Sequence, residues 1–199
     1  MTEAEAKTYV GTHVTPEQFD KLKLLIELLR GENIRQNLVS RETLEVVWSR
    51  HIADSLQLAR FCEPNKTCAD LGSGAGFPGL VLAIAQPEMQ FELIESRNLR
   101  IEWIRQAISS LELLNCRAVK ARVERHTGSF DVITARAFAP LTRLIAASER
   151  LTHKGSIWVL PKGRGARDEV KALGRRDLVF HVEQSITDPD SAILIGQYR

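Results

Sequence analysis

Residues Cys68–Gly79, with the sequence CADLGSGAGFPG, are the most informative segment of this chain. A short apolar run ends at an acid, glycines then recur at every second position, and a helical pattern follows. Glycines allow a sharp turn and a close backbone approach to a ligand that a Cβ would push away. The stretch therefore predicts a buried strand over 67–71, a glycine loop and a helix over 78–86. Open α/β sheets bind nucleotide-type cofactors with such a unit.

Two cofactor chemistries compete for this glycine loop. The frame Gly74–Gly79 fits the G-x-G-x-x-G fingerprint of dinucleotide-binding enzymes, with Glu95 about 20 residues further on as the ribose acid. The frame Asp70–Gly76 resembles the first motif of class I S-adenosylmethionine-dependent methyltransferases. In that resemblance Asp70 helps to hold the amino-acid end of the cofactor, directly or through water, and Glu95 accepts both ribose hydroxyls. A tight turn without a ligand is the third interpretation, which the order of strand, acid, glycines, helix and second acid disfavours.

Length and composition are those of an ordinary globular chain. Its 199 residues suit one domain, and the apolar and charged contents of 44% and 26% are typical of a protein that buries a core. The net charge of +2 does not by itself indicate a nucleic-acid-binding protein. Six basic residues between Lys162 and Arg176 nevertheless stand against only Asp168 and Glu169. A solvated charged face and a phosphate-contacting loop both explain this cluster.

Signals for metal binding, export and membrane insertion are missing from the sequence. Cys62, Cys68 and Cys116 form no C-x-x-C pair and have no histidines at zinc-binding intervals, so we expect free thiols and no metal site. Residues 1–7 are acidic and lack the apolar region of a signal peptide. No apolar run approaches the roughly 18 residues of a membrane span. We therefore expect a cytoplasmic protein without a membrane partner.

The amino-terminal third of the chain carries helical patterns. Thr15, followed by a proline, is placed as the N-cap of a helix that Gly31 is expected to end. Residues 35–40 form a connector, and a second helix is predicted over 43–61. The sequence therefore predicts a helical extension over residues 1–64.

Beyond residue 65 the pattern alternates between strands and helices, which is typical of a mostly parallel sheet with helices on both faces. A turn signal between the last two strands predicts an antiparallel hairpin. These features predict an α/β, Rossmann-like class I methyltransferase domain over 65–199, packed as one unit with the 1–64 extension. The predicted strands are 67–71, 90–95, 117–121, 130–134, 155–160, 178–183 and 192–197, and the predicted helices are 78–86, 98–113, 140–151 and 166–173.

Four short segments point to one family. They are Arg50–Leu56 (RHIADSL), the loop Gly72–Gly79, Ala135–Ala139 (ARAFA) and Leu160–Gly163 (LPKG). Over about residues 15–199 the chain resembles the bacterial 16S ribosomal RNA guanine-N7 methyltransferases of the glucose-inhibited-division-B type. The resemblance implies methyl transfer from S-adenosylmethionine to N7 of a guanine in the conserved loop near the decoding centre. It also implies 16S ribosomal RNA or the small ribosomal subunit as partner, no DNA, and a monomer.

The same resemblance implies roles for individual residues. Gly72 and Phe77 are implied as cofactor contacts of the glycine loop. Val123 and Glu124, which follow the third predicted strand, are implied as adenine-side contacts. Arg136, which follows the fourth, is implied as a pocket residue that contacts cofactor and RNA, with a surface salt bridge as its structural alternative.

The chemistry of the implied reaction places further residues. Guanine N7 has a free lone pair and loses no proton before it attacks a methyl group, so no general base is needed and alignment supplies the rate. Phe138 and Arg136 are candidates to hold an unstacked base. Lys162 and Arg164 are expected at the rim of the crevice, in contact with RNA phosphates.

Two questions stay open at the level of the sequence. His51 and Asp54 lie three residues apart on one helical face, as either a catalytic acid–base pair or a structural pair that anchors the helical extension. The second question is which cofactor binds, because Gly74, where backbone and ligand should nearly touch, belongs to both glycine frames. An NAD-type oxidoreductase is one alternative function, and a non-catalytic RNA-binding module is the other.

Overall fold

The computed structural model describes residues 1–199 and is built on a seven-stranded sheet with the order β3-β2-β1-β4-β5-β7-β6. Strands β1 to β5 are parallel, whereas β7 runs antiparallel to β5 and to β6. The predicted parallel sheet with a terminal antiparallel hairpin is confirmed. The strands are β1 Thr67–Leu71, β2 Gln90–Glu95, β3 Cys116–Lys120, β4 Val132–Thr134, β5 Ile157–Lys162, β6 Leu178–Gln184 and β7 Ala192–Tyr198.

Helices follow the strands in the positions that the alternating pattern predicts. The predicted first position at Pro78 is wrong by one residue, because Pro78 is the N-cap of the helix after β1. The helix predicted over 140–151 ends in a 3₁₀ turn, Glu149–Leu151. The helices are α1 Glu3–His13, α2 Pro16–Arg35, α3 Arg41–Glu45, α4 Asp54–Leu56, α5 Gly79–Ala85, α6 Asn98–Ser110, α7 Leu141–Ser148 and α8 Ala166–Leu173.

Gly31 does not end a helix, contrary to the prediction. Helix α2 continues through Gly31 to Arg35, and the backbone N–H of Gln36 donates to the Glu32 carbonyl at 3.0 Å. A glycine in a helix interior costs about 1 kcal/mol relative to alanine. Packing outweighs that cost, because Leu29 is fully buried and the Asn33 side chain accepts hydrogen bonds from the connector at 2.9 and 3.0 Å.

The single helix predicted over 43–61 is wrong as well. The segment divides into α3, a π-helical turn over Trp48–Ala53, α4 and a 3₁₀ turn over Gln57–Phe61. The Glu3 carboxylate from α1 accepts hydrogen bonds from the backbone N–H groups of Trp48 and Ser49, at 2.8 and 3.0 Å. These N–H groups bond to α1 rather than to the preceding turn, so the segment starts a new turn here.

The core consists of two hydrophobic clusters on opposite faces of the sheet. The larger cluster combines residues of the amino-terminal helices, such as Leu25 and Ile52, with Leu80 of α5 and Leu93 of β2. The larger cluster therefore contains residues of both 1–64 and 65–199, and their division into a helical extension and a methyltransferase domain stays a prediction. The smaller cluster surrounds Trp158 on the other face.

The three cysteines lie in the interior of the fold. All three cysteines are free and buried, and burial raises the pKa of each thiol. No group of three or more acidic, histidine or cysteine side chains is arranged to hold a metal ion. No helix combines the length and the apolar character needed to cross a membrane.

Candidate active site at the carboxyl edge of the sheet

The glycine loop between β1 and α5 requires glycine at the positions that the sequence singled out. Gly72, Gly74 and Gly76 have φ angles of +65°, +58° and +93°, a region that side chains disfavour. The N–H of Gly72 donates to the Ile94 carbonyl at 2.8 Å and so ties the loop to β2. A Cβ on Gly72 would lie 2.6 Å from the Phe138 ring. The loop is therefore closely packed on the side that faces Phe138, and a ligand can approach it only where no side chain covers its backbone.

Asp70, the last but one residue of β1, is fully buried beside this loop. Its Oδ2 accepts a hydrogen bond from the Gly79 N–H at 3.2 Å, whereas Oδ1 has no partner. Burial raises the pKa of this carboxyl to about 6, although the hydrogen bond from Gly79 opposes the shift. A buried acceptor without a partner is costly, so Oδ1 fits an additional donor such as a ligand amino group or a water molecule.

Glu95 ends β2 and binds the glycine loop through its carboxylate. Its Oε2 accepts from the Gly74 N–H at 3.1 Å, and its Oε1 accepts from the N–H groups of Ser96 and Arg97 at 2.7 and 2.8 Å. Only 5% of the residue is exposed. Each carboxylate oxygen has two lone-pair sites, and Oε2 has the Gly74 N–H as its one partner, so Glu95 retains room for a ligand hydroxyl while it holds the loop.

The predicted adenine-side residues meet the glycine loop at one cavity. This cofactor-side cavity has a volume of about 330 Å³ and lies over the carboxyl ends of β1, β2 and β3. Val123 is buried and Glu124 exposed, both in a 3₁₀ turn that follows β3. The residues that line the cavity are Gly72, Ile94, Ser96, Ala121, Arg122, Val123, Glu124 and Phe138. Glycine backbone, an acceptor at Glu95 and this cavity together fit an adenosine.

Phe77 lies behind the cofactor-side cavity rather than on its lining. It is buried, and its ring stacks on the His51 ring with a centroid separation of 5.0 Å. The Arg136 guanidinium lies 5.1 Å from the centre of the Phe77 ring. Phe77 therefore connects the glycine loop to the RHIADSL segment.

Arg136 is held by three contacts from that segment. Its Nη1 donates to the Arg50 carbonyl at 3.0 Å, its Nη2 lies 2.9 Å from His51 Nδ1, and it approaches the Asp54 carboxylate at 3.6 Å. Burial, together with the charges of Arg136 and Arg50, lowers the pKa of His51 to about 3. His51 is therefore neutral near pH 7 and accepts the Arg136 hydrogen bond at Nδ1.

His51 and Asp54 contact Arg136 rather than each other. Asp54 Oδ1 also accepts from Gln57 Nε2 at 3.0 Å and from the Thr187 hydroxyl at 2.8 Å, which connects the segment to the β6–β7 turn. This arrangement favours the structural interpretation of the pair. The sequence did not indicate the part of Gln57 and Thr187, because they are 130 positions apart.

A larger, base-side cavity of about 600 Å³ lies beside the cofactor-side cavity, and Phe138 lines both. Ala137, between Arg136 and Phe138, has a φ of +54°. Such strain in a residue other than glycine is often found at functional sites. The base-side cavity is lined by Arg50, Asp54, Gln57, Arg136, Ala137, Phe138, Ala139, Pro140, Pro161, Lys162, Gly163, Glu169, Ser185, Ser191 and Ala192.

The two rim cations predicted to contact RNA are ion-paired. Lys162 Nζ lies 2.8 Å from Glu169 Oε2 and donates to the Ala139 carbonyl at 3.1 Å. Arg164 is exposed and pairs with Asp190. Lys162 lines the base-side cavity, and Arg164 lies outside its lining.

Comparison with known proteins agrees with this geometry. A family model described as rRNA small subunit methyltransferase G (GidB) matches residues 18–188. The chain belongs to this family. The Ribosomal RNA small subunit methyltransferase G of Novosphingobium aromaticivorans is 45% identical over 99% of this chain and 89% of its own length. The protein of the same name from Erythrobacter litoralis is also 45% identical, over 100% of this chain and 97% of its own.

Solved structures support the fold. A ribosomal protein L11 methylase from Lactobacillus delbrueckii subsp. bulgaricus has a TM-score of 0.61 at 14% identity, with 74% of this chain and 77% of that chain covered. Aeropyrum pernix fibrillarin, in complex with natively bound S-adenosyl-L-methionine, has a TM-score of 0.56 at 14% identity, with coverages of 74% and 75%. Fold and family agree that this chain is an S-adenosylmethionine-dependent methyltransferase, which decides against the NAD-type oxidoreductase.

Proposed function

We propose that this methyltransferase transfers a methyl group to N7 of a guanine in the 16S RNA of the small ribosomal subunit. We further propose that it acts in the cytoplasm, as a monomer and not on DNA. The observation that carries the proposal is the pair of adjoining cavities that share Phe138. One cavity suits an adenosine, and the volume of the other, about 600 Å³, is large enough for a purine. Their common wall brings the donor and acceptor sites side by side.

On the cofactor side, we assign the adenosine to the smaller cavity. Gly72 and Gly74 provide bare backbone, Glu95 accepts from the ribose hydroxyls, and Val123 with Glu124 contacts the adenine edge. Phe77 supports the loop from behind through its stacking on His51. The unpartnered Asp70 Oδ1 suits the amino group of the methionyl end.

The protein's part in the reaction is to align the guanine with the methyl group of the cofactor and to enclose both. S-adenosylmethionine, when bound, supplies an electrophilic methyl group on a sulfonium centre. Guanine N7 needs no base, and both carboxylates that line the base-side cavity are engaged, Asp54 with Thr187 and Glu169 with Lys162. The rate enhancement must therefore come from the positioning of guanine N7 against the methyl group.

Arg136 and Phe138 are the residues that we propose to position the guanine. The three contacts on Arg136 fix its guanidinium at the wall of the base-side cavity, so little side-chain entropy remains to be lost. A planar guanidinium and an aromatic ring are suitable partners for an unstacked base. Lys162 and Arg164 would then contact phosphates at the rim, although each must first share or leave its carboxylate.

The test is methylation of small ribosomal subunits from cells that lack this gene. Purified protein and S-adenosylmethionine should restore one N7-methylguanine in 16S RNA, mapped by mass spectrometry of nuclease fragments. Arg136→Lys, which keeps the charge but loses the forked contacts, should lower the rate more than tenfold. Methyl transfer to another atom or to no RNA at all would refute the proposal.

A further inference from the structure

A second group of cations lies on the other side of the cofactor-side cavity. Arg97 and Arg100 follow β2, and Lys120, Arg122 and Arg125 end or follow β3. We call these five residues the basic strip. In the parallel pairing of the two strands, Lys120 lies directly beside Glu95, which brings both groups to the carboxyl edge of the sheet. Three of the five line one open cavity of about 370 Å³, whose other walls are Ser96 and Ala121.

The side chains of the basic strip have no partner within the protein. The structure has 15 salt bridges, and none involves any of the five residues. Arg100 is half-buried, and the other four are exposed. Like charges that lie side by side repel one another and do not stabilise the fold. The strip therefore lacks a structural explanation and is free to bind an anion.

We propose that the basic strip is a second RNA-contacting surface, which binds the sugar–phosphate backbone of nucleotides that flank the target guanine. The inference rests on the proposed RNA substrate. The base-side cavity lies at the end of β4, three strands away from β3 in the sheet. At the usual strand spacing this separation is about 14 Å. The strip therefore contacts neighbouring nucleotides rather than the reacting base.

The composition of the strip favours an RNA backbone over a protein partner. Ala121 is the only apolar residue that lines the cavity of the strip. Protein interfaces are centred on buried aromatic and apolar anchors, whereas phosphate contacts need cationic groups in an open setting. An acidic protein of the ribosomal particle is the competing partner, and naked RNA separates the two.

Lys120 and Arg125 are the most informative positions to change. Arg122 also lines the cofactor-side cavity, and Arg100 lies beside Gly74, so these two residues are left in place. Lys154 and Arg199 provide a matched control, because both are exposed, form no ion pair and lie at the amino edge of the parallel strands, Lys154 before β5 and Arg199 after the antiparallel β7.

The experiment compares K120A/R125A with K154A/R199A on naked 16S RNA. Loss of two phosphate contacts should raise KM about tenfold near 0.15 M salt and make the log–log salt dependence shallower by about 1.4, at 0.7 per contact for single-stranded RNA. The control pair should match the parent. Affinity for S-adenosylmethionine, measured by calorimetry, and kcat at saturating RNA should not change. K120R/R125K, which keeps both charges, should restore KM.

Three outcomes would overturn the inference. They are an unchanged KM and salt slope, an equal loss in the control pair, or a fall in cofactor affinity that accounts for the whole effect. A loss seen only with assembled subunits and not with naked RNA would assign the strip to a ribosomal protein. Failure of the proposed function is a separate result, because the parent protein itself would then leave 16S RNA unmethylated both as naked RNA and in small subunits.

Discussion

The two halves of the carboxyl edge satisfy their charged groups in different ways. Beside β1, β2 and β3, acidic side chains are held by backbone N–H groups: Glu95 accepts three such bonds and Asp70 one. The cations of that half have no partner. Beside β4, β5 and β7, acidic side chains form ion pairs with basic ones. Asp54 pairs with Arg136, and Glu169 pairs with Lys162.

This difference separates two kinds of binding surface. In the first half, backbone N–H groups bind the acidic side chains. Carboxylate oxygens and cations there remain available to a ligand. Where side chains pair with one another, the charges are used to fix a shape, and Arg136 keeps its place without a ligand. The halves should therefore respond differently to substitution.

The largest effect is expected at Gly72. Gly72→Val places a branched side chain at a φ of +65° and against the Phe138 ring, on the wall of the cofactor-side cavity. We expect affinity for S-adenosylmethionine, measured by calorimetry, to fall at least a hundredfold, about 2.7 kcal/mol. Gly31→Val is the control, since a Cβ there meets nothing within 4 Å and Gly31, on α2, lines neither cavity. Near-parental binding by a folded Gly72→Val protein would show that the loop does not hold the cofactor.

The next effect is a pH dependence of stability from Asp70. Burial raises its folded pKa from 3.8 to about 6, so between these values the folded protein holds a proton that the unfolded chain has lost. Stability should therefore fall as pH rises from about 4 to 6, by about 2–3 kcal/mol. Asp70→Asn should remove this slope and be the more stable protein above pH 6.

Urea unfolding of parent and Asp70→Asn at pH 4.5, 6 and 7.5 measures this difference. Asp168→Asn, on the exposed face of α8, serves as the control and should follow the parent at every pH. A difference between parent and Asp70→Asn that does not vary with pH would mean that Asp70 is ionised throughout this range in the folded protein.

The smallest effect is expected in the half with paired charges. Asp54→Asn keeps an oxygen for Gln57 and Thr187 but removes the charge that faces Arg136. We expect kcat for RNA methylation to fall about tenfold, about 1.4 kcal/mol, with unchanged cofactor affinity, because Arg136 loses one of three restraints. Steady-state kinetics of RNA methylation, with Asp168→Asn as the control, measure this change in kcat. Loss of cofactor binding instead would place Arg136 on the cofactor side.

Local signals made the sheet predictable. Strands β1 and β2 agree with the prediction at both ends, because a glycine loop and an acid mark where they stop. The predictions of a helix end at Gly31 and of a single helix over 43–61 were wrong, because contacts that are distant in the sequence determine these elements. The group that divides that helix is Glu3, 45 positions from Trp48 in the sequence, and no local pattern reports such a contact.

The same distinction applies to the site. The glycine loop and the ARAFA segment are continuous in sequence, and both were identified. The basic cluster between Lys162 and Arg176 was also conspicuous, yet four of its six cations pair with carboxylates. The basic strip was overlooked, because its two parts are at least 20 positions apart and only the pairing of β2 with β3 joins them. That Lys162 and Arg164 contact RNA stays a prediction.

The three buried thiols provide a reporter of motion in the core. Burial raises the pKa of Cys62 and Cys116 to about 12, and that of Cys68 well above its ordinary value. A thiol reagent therefore reacts with them only when the protein opens, at a rate set by the free energy of opening. Cys68 lies two residues before Asp70 on β1, so a bound cofactor should slow its labelling more than that of Cys62. Labelling kinetics, resolved by mass spectrometry, would thus measure how far the stabilisation by a ligand extends from the glycine loop.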